Sequence, residues 1–279
     1  MSKSVPQRRA AFRALHDEGC FVLPNPWDVG SARMLQGLGF QALATTSSGH
    51  AWSLGRPDGT VSRAVILEHV RALVEATDLP VNLDFEDGFA ADPEGVAESV
   101  RMAIATGIAG VSIEDSTGDP ARPVRDIGES IARVRAARVA IDEAGGDVLL
   151  VGRAENFFLG RPDLQDTIER LRAYAEAGAD CLYAPGIRTK EHIAAVVAAV
   201  APRPVNLLVG SPIGLTVAEI AELGVRRISI GGGLARAAWG GFLRAARAIA
   251  SEGRLDALAG ATPGTELNTF FRPFAATRD

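Results

Sequence analysis

ATGIAGVSIED (105–115) reads as the last turn of a helix, a glycine that caps it, and a short apolar strand that finishes on two acids. The same grammar returns in GLGFQALATT (37–46), EAGADCLYAP (176–185) and ELGVRRISIGG (222–232). Between these stretches lie FVLPN (21–25), PVNLDFE (80–86), DVLLVGRAE (147–155) and PVNLLVG (204–210), each followed by a helical segment. The strands are continuously apolar instead of alternating, as parallel strands covered on both faces must be. Eight strands alternating with eight helices predict an α/β fold, a (β/α)8 TIM barrel formed by a single domain over residues 1–279. An open doubly wound sheet shares the alternation, but chain length and the count of eight agree with the closed barrel.

The helical segments are 62–77, 93–107, 127–145, 164–178, 190–201, 216–224 and 234–253, with apolar residues recurring at three- and four-residue spacing. One face of each is therefore expected to pack on the barrel. The tail from 254 to 279 carries Phe270, Phe271 and Phe274 among polar residues. Such a tail packs either against a partner subunit or back on its own barrel.

The chain has 279 residues, of which 47% are hydrophobic and 23% charged, an ordinary globular composition. No apolar run approaches the ~18–20 residues of a membrane span, and MSKSVPQRRAAF is too polar for a signal peptide. A soluble cytoplasmic protein with no membrane partner is expected. Cys20 and Cys181 form no metal or disulfide spacing. The net charge of −5 is spread without a basic run, which argues against nucleic acid as a partner and for a small substrate.

In a TIM barrel the working residues lie at the C-terminal ends of the strands. There the sequence places Asp84-Phe85-Glu86-Asp87-Gly88, then Glu114-Asp115, then Arg153-Ala154-Glu155-Asn156. Three adjacent strands would aim these carboxylates at one mouth, where their repulsion is costly without a cation. Oxygen-only ligands favour Mg2+, with Mn2+ the alternative, and Asp84, Glu86 and Glu114 are the metal candidates. Asp87 and Asp115 read equally as loop acids or helix caps. Arg153 suits either a two-pronged grip on a substrate carboxylate or an ion pair with Glu155 or a neighbouring acid. Thr45-Thr46-Ser47-Ser48-Gly49 offers hydroxyls and amides to carboxylate or enolate oxygens, although a plain turn would read the same. His50, in the following loop, is either a proton donor or an exposed loop histidine. His16, His69 and His192 fall on helical stretches as surface or packing residues, and Cys181 reads as buried packing.

The stretch NPWDVGSARMLQGLGFQALATTSSGHAWSLGRPDG (25–59) resembles the opening of the isocitrate lyase and phosphoenolpyruvate mutase superfamily. LDFEDGFA (83–90) is similar to its metal loop, IEDS (113–116) to its Glu-Asp-Lys, and GRAENF (152–157) to its Ala-Arg-x-Asp/Glu. With GADCLYAP (178–185) and PVNLL (204–208), the resemblance covers about residues 20–250. It implies that Asp84 holds Mg2+ directly or through water, with Glu86 and Glu114 in the outer shell. Arg153 would hold the substrate carboxylate, Thr46, Ser47 and Ser48 its oxygens, and Glu155 and Asn206 would join the substrate contacts. Asp58 would sit near the reacting centre. The resemblance further implies a homo-oligomer, a dimer of dimers with exchanged terminal helices.

The chain departs from the family after Glu114-Asp115, where SerThrGlyAspProAlaArgProValArg (116–125) replaces the lyases' Lys-Lys-Cys-Gly-His gating loop. In the metal loop, Glu86 stands for the second aspartate and Phe89-Ala90 for tyrosine-glycine. What the resemblance implies is a Mg-dependent carbon–carbon lyase or decarboxylase acting on a small 2-oxo or 2-hydroxy di- or tricarboxylate through a pyruvate-like enolate, with His50 or Asp58 moving the proton. The alternatives are phosphoenolpyruvate- or phosphonopyruvate-type chemistry and a non-catalytic barrel that binds oxo acids.

Overall fold

The structure, a computed structural model, describes residues 3–275. In chain order its elements are α1 (Val5–Ala14), β1 (Phe21–Leu23), α2 (Val29–Gly37), β2 (Leu43–Ala44), α3 (Ser47–Ser53), α4 (Arg63–Ala76), β3 (Val81–Asp84), α5 (Pro93–Ile104), β4 (Gly110–Glu114) and α6 (Ile127–Glu143). There follow β5 (Leu149–Arg153), α7 (Leu164–Glu176), β6 (Cys181–Tyr183), α8 (Lys190–Val200), β7 (Val205–Leu208), α9 (Val217–Glu222), β8 (Arg227–Ser229), α10 (Gly233–Glu252) and α11 (Gly264–Phe271). All eight strands are parallel, in the order β1-β8-β7-β6-β5-β4-β3-β2. The amide of Ala44 donates to the carbonyl of Pro24 at 3.1 Å and draws the last gap, between β1 and β2, closed. This is the (β/α)8 barrel that the alternation predicts.

The glycines read as helix caps sit where a side chain is disfavoured: Gly39, Gly107, Gly178 and Gly224 have φ of 87°, 88°, 107° and 86°. Side-chain oxygens of Asp92, Asp163, Thr189 and Thr216 cap the helices that follow the loops.

Two apolar clusters result. The larger lies between helices and sheet and includes Leu73, Val100, Ile141, Leu171 and Val196. The smaller lines part of the barrel interior with Leu23, Ala44, Leu149, Val151, Cys181 and Tyr183. α1, absent from the sequence-based expectation, brings Phe12 to this interior cluster, where its ring packs edge-on against Phe21 and His16. Cys181 is buried packing, as read from its strand.

Residues 47–53 were expected as a turn and loop, but form helix α3. The reason is local: the Thr46 hydroxyl accepts from the amide of Gly49 at 3.2 Å and caps the segment.

One compact unit, the barrel, ends at Leu234, and a second begins at Ala235, within α10. Within that second unit Trp239 is 40% and Phe242 60% exposed, with their rings 5.6 Å apart. Phe270 packs on Phe271 and Phe274. The expected tail's residues 276–279 lie outside the described residues. Among the described residues no helix is long and apolar enough to cross a membrane.

The interior packing makes a direct prediction. A Cβ on Gly110 would stand 2.6 Å from Asn82 Oδ1 and 2.8 Å from Phe12 Cε1. Gly110→Ala should therefore destabilise the barrel by about 1–3 kcal/mol, read as a lower urea midpoint; an unchanged midpoint would contradict this packing.

Candidate active site

β3, β4 and β5 end side by side, and register places Asp84 beside Ser112 and Glu114 beside Arg153. The Arg153 guanidinium sits among the acids they carry. Its Nη1 donates to Asp84 Oδ1 at 3.1 Å and stands 3.2 Å from Glu114 Oε2, while its Nε donates to Glu155. The ring of Tyr183 lies under it, 5.0 Å from Cζ to centroid. The ion pair foreseen with Glu155 or a neighbouring acid thus forms with three acids at once.

Two chambers meet here. The inner one, about 100 Å³, is bounded by Thr46, Ser47, Ser48, Asp84 and Asn206, and reaches down to Arg227. An outer one of about 450 Å³ is lined by Glu86, Glu114, Glu155, Ser116 and Leu159. Ser47, Asp58, Arg153 and Phe158 border both. Thr46 and Ser48 share a hydrogen bond of 3.1 Å, and the amide of Ser47 faces Asp84 Oδ2 at 3.4 Å.

Five carboxyl groups, those of Asp58, Asp84, Glu86, Glu114 and Glu155, crowd around the Arg153 guanidinium. Burial, then Asp84 and Asp58, push Glu86 up to about 8. Burial holds Glu114 well above the usual carboxylate range; Arg153 opposes this, and Glu155, Asp84 and Glu86 reinforce it. Glu155 is raised chiefly by burial, again against Arg153. Asp58 is raised by desolvation, a Ser47 hydrogen bond opposes that rise, and Asp84 adds to it. Solvent on its exposed side screens these effects.

That excess of negative charge and the all-oxygen donor set fit a hard divalent cation. Among the described residues, however, no three His, Cys, Asp or Glu side chains converge as a ready-made cage. Asp84, Glu86 and Glu114 share the mouth, but Arg153 Nη1 stands between Asp84 and Glu114. The arrangement suits an ion held by one or two carboxylates and otherwise by water, the usual manner of magnesium.

His50 is not at the mouth. It lies on α3, buried, and borders neither chamber. Its ring stacks on His69 at 3.6 Å between centroids and 12° between planes, and burial lowers both. Neither an exposed loop residue nor a proton donor at the mouth, it is part of the packing between α3 and α4. His16 is buried and His69 half-buried against His50, so both are packing residues.

Asp87 and Asp115 serve as anchors. Arg125 Nη2 donates to Asp87 Oδ2 at 2.7 Å. Asp115 accepts from Tyr174 at 2.6 Å and from Arg170 at 3.2 Å. The inner chamber is also lined by polar residues that no motif announces, Asn25, Asn82, Ser112, Ser229 and above all Arg227. A charged residue in the middle of VRRISI is the signal that would have found the last of these.

The family model of phosphoenolpyruvate phosphomutase matches residues 12–250 of this chain. The chain belongs to that family, within the isocitrate lyase and phosphoenolpyruvate mutase superfamily. It is 47% identical to a Burkholderia cenocepacia J2315 protein, provisionally described as a lyase/mutase, whose crystal structure superposes with a TM-score of 0.93 over 96% of this chain and 97% of that one. The oxaloacetate decarboxylase of Paraburkholderia xenovorans is 31% identical over 232 residues, 80% of this chain and 74% of the relative. Oxaloacetate acetylhydrolase, solved with its product oxalate, superposes with a TM-score of 0.84 at 27% identity over 96% of this chain and 95% of that one. The same relative has also been solved with the inhibitor 3,3-difluorooxalacetate.

The lift on Glu86 gives stability a direction with pH. The folded state retains a proton that the unfolded chain releases above the ordinary value of 4.5, so folding loses stability as pH rises from there to about 8. Without divalent cations, the thermal midpoint of the parent should fall across that window more steeply than that of Glu86→Gln. Equal slopes would show that Glu86 is ionised throughout.

Proposed function

We propose that this member of the family is a divalent-metal-dependent carbon–carbon lyase or decarboxylase that cleaves a small 2-oxo or 2-hydroxy di- or tricarboxylate through a pyruvate-like enolate. The observation that carries the reading is one guanidinium held by Asp84, Glu114 and Glu155 in a chamber with surplus carboxylates. Relatives named oxaloacetate decarboxylase and 2-methylisocitrate lyase support the lyase class.

The chemistry needs an electron sink. With a 2-oxo acid, the electron pair of the breaking C3–C4 bond moves into the C2 carbonyl as CO2 leaves, and negative charge collects on the enolate oxygen and the neighbouring carboxylate. With a 2-hydroxy acid, the C2 hydroxyl gives up its proton as the C2–C3 bond breaks, and the pair collects on C3 and the carboxylate it carries. Arg153 faces that charge from a fixed position, and preorganised charge of this kind is worth most where water is excluded. Magnesium or manganese, held by Asp84 with Glu86 and Glu114 behind it through water, would supply further neutralisation. Thr46, Ser47 and Ser48 border the inner chamber and orient the oxygens of the substrate. Asp58 lies at the junction of the chambers with its carboxyl raised, so it can hold the proton that C3 takes up when the enolate collapses. His50 has no part in this step.

Self-association as a dimer of dimers belongs to the same proposal. The exposed Trp239 and Phe242 of the second unit support it.

The decisive assay follows pyruvate release from oxaloacetate with Mg2+, corrected for the spontaneous reaction, beside 2-methylisocitrate and phosphonopyruvate. Arg153→Met and Asp84→Ala should each lower kcat/KM by about 10²- to 10³-fold. An Asp84→Ala protein that binds magnesium and turns over like the parent would end the proposal. Magnesium-dependent oxalate binding with no turnover of any of the three would identify a non-catalytic barrel.

A further inference from the structure

Glu114, Arg153, Tyr183, Asn206 and Arg227 are successive register partners across β4 to β8. Partners in one row of a parallel sheet turn their side chains to the same face, here the barrel interior. Strands in such a barrel tilt by ~36°, so the row descends from the mouth to the floor. A second guanidinium, that of Arg227, therefore lies beneath the first.

Arg227 is fully buried. Its Nε donates to Asn206 Oδ1 at 2.8 Å and its Nη1 to Asn82 Oδ1 at 3.4 Å, both neutral acceptors. Among the described residues no carboxylate forms an ion pair with it. The ionisable groups that act on it are Cys181 and Tyr183, both raised by burial and so uncharged at ordinary pH. His16, on the floor side, offers no compensation: burial, and then Arg227 itself, push it down to about 3. Burying a cation without a counter-charge is costly, and this one borders an open chamber that also touches Asp84 and Arg153.

We propose that Arg227, backed by Asn82 and Asn206, is a carboxylate subsite at the floor of the inner chamber, which takes the far carboxylate of a dicarboxylate substrate whose 2-oxo acid end lies at Arg153. The chamber of about 100 Å³ has space for a carboxylate and the carbons that tether it. Selection for a second negative charge follows, since a monocarboxylate leaves the guanidinium facing water alone. This inference rests on the oxo-acid reading of the mouth. The same recognition would serve a free inorganic anion, and the test separates the two sources.

Binding of oxalate and of 3,3-difluorooxalacetate is measured by calorimetry with Mg2+, for the parent, Arg227→Met and Arg227→Lys. Oxalate, too short to span the chamber, should bind all three within about twofold. The longer dicarboxylate should lose about 10- to 100-fold in Arg227→Met, the scale of one charge-assisted hydrogen bond, and less in Arg227→Lys. Equal weakening of both ligands, or of neither, overturns the subsite. Failure of oxalate to bind the parent instead sinks the reading of the mouth.

A second measurement needs no variant. Crystals of the parent soaked in bromide should show its anomalous signal beside Arg227, displaced when 3,3-difluorooxalacetate is added. Bromide that stays while the inhibitor's far carboxylate points into the outer chamber identifies a site for free anions only, and rejects the proposal. So does the absence of any anion at Arg227.

Discussion

The Arg153 guanidinium fixes the mouth of the barrel. Asp84, Glu114 and Arg153 close three adjacent strands, and Glu155 follows two residues later. Without the cation these acids would be buried together with nothing to offset their repulsion, and an uncompensated charge in such a place costs about 3–5 kcal/mol. With it, each carboxylate has a defined position. One positive charge cannot neutralise the whole set, so burial and mutual repulsion still hold Glu86, Glu114 and Glu155 above their ordinary range. The residual imbalance makes the mouth receptive to a further cation and to the carboxylate that such a cation would bring.

Barrel geometry carries this charge pattern inward. TIM barrels usually fill their interior with layers of Val, Ile and Leu, whereas here the middle is polar. Asn206 donates to Ser229 at 2.9 Å and accepts from Arg227, so both ends of its amide are satisfied. Ser112 donates to the carbonyl of Leu83 at 3.2 Å. These bonds offset the desolvation that unpartnered polar groups would suffer. Below them Phe12, Phe21 and His16 form an aromatic floor, so the chamber opens toward the acids.

Much of this was legible in the chain. Periodicity and the four cap glycines define the barrel, and acids written at the ends of strands 80–86, 105–115 and 147–155 do meet. What escaped depends on contacts between distant residues. α3 holds three serines and a glycine and would not be read as a helix without the cap that Thr46 supplies. His50 faces another histidine nineteen positions away, on α4, a partner that no local pattern announces. Arg226 and Arg227 are neighbours in sequence, yet Arg226 donates to the carbonyl of Gly19 at the edge while Arg227 lies in the interior. Only the register of β8 decides which of the two turns inward.

The paired acids of the motifs divide their labour for the same reason. In the segment after β3, Glu86 and Phe89 adopt φ of 46° and 53°, a left-handed conformation that costs a non-glycine residue about 1–3 kcal/mol. Arg133 holds the segment there, donating to the carbonyls of Asp87 and Ala90 at 2.9 and 2.6 Å, and Arg125 ties down the Asp87 carboxylate. After β4, Arg170 and Tyr174 bind Asp115 in the same way, while Glu114 stays in the mouth. In each pair, one acid is fixed by the surrounding helices so that its neighbour is presented to the chamber. The strain at Glu86 is thus offset by arginines that touch no substrate, which makes the outer helices part of what positions the site.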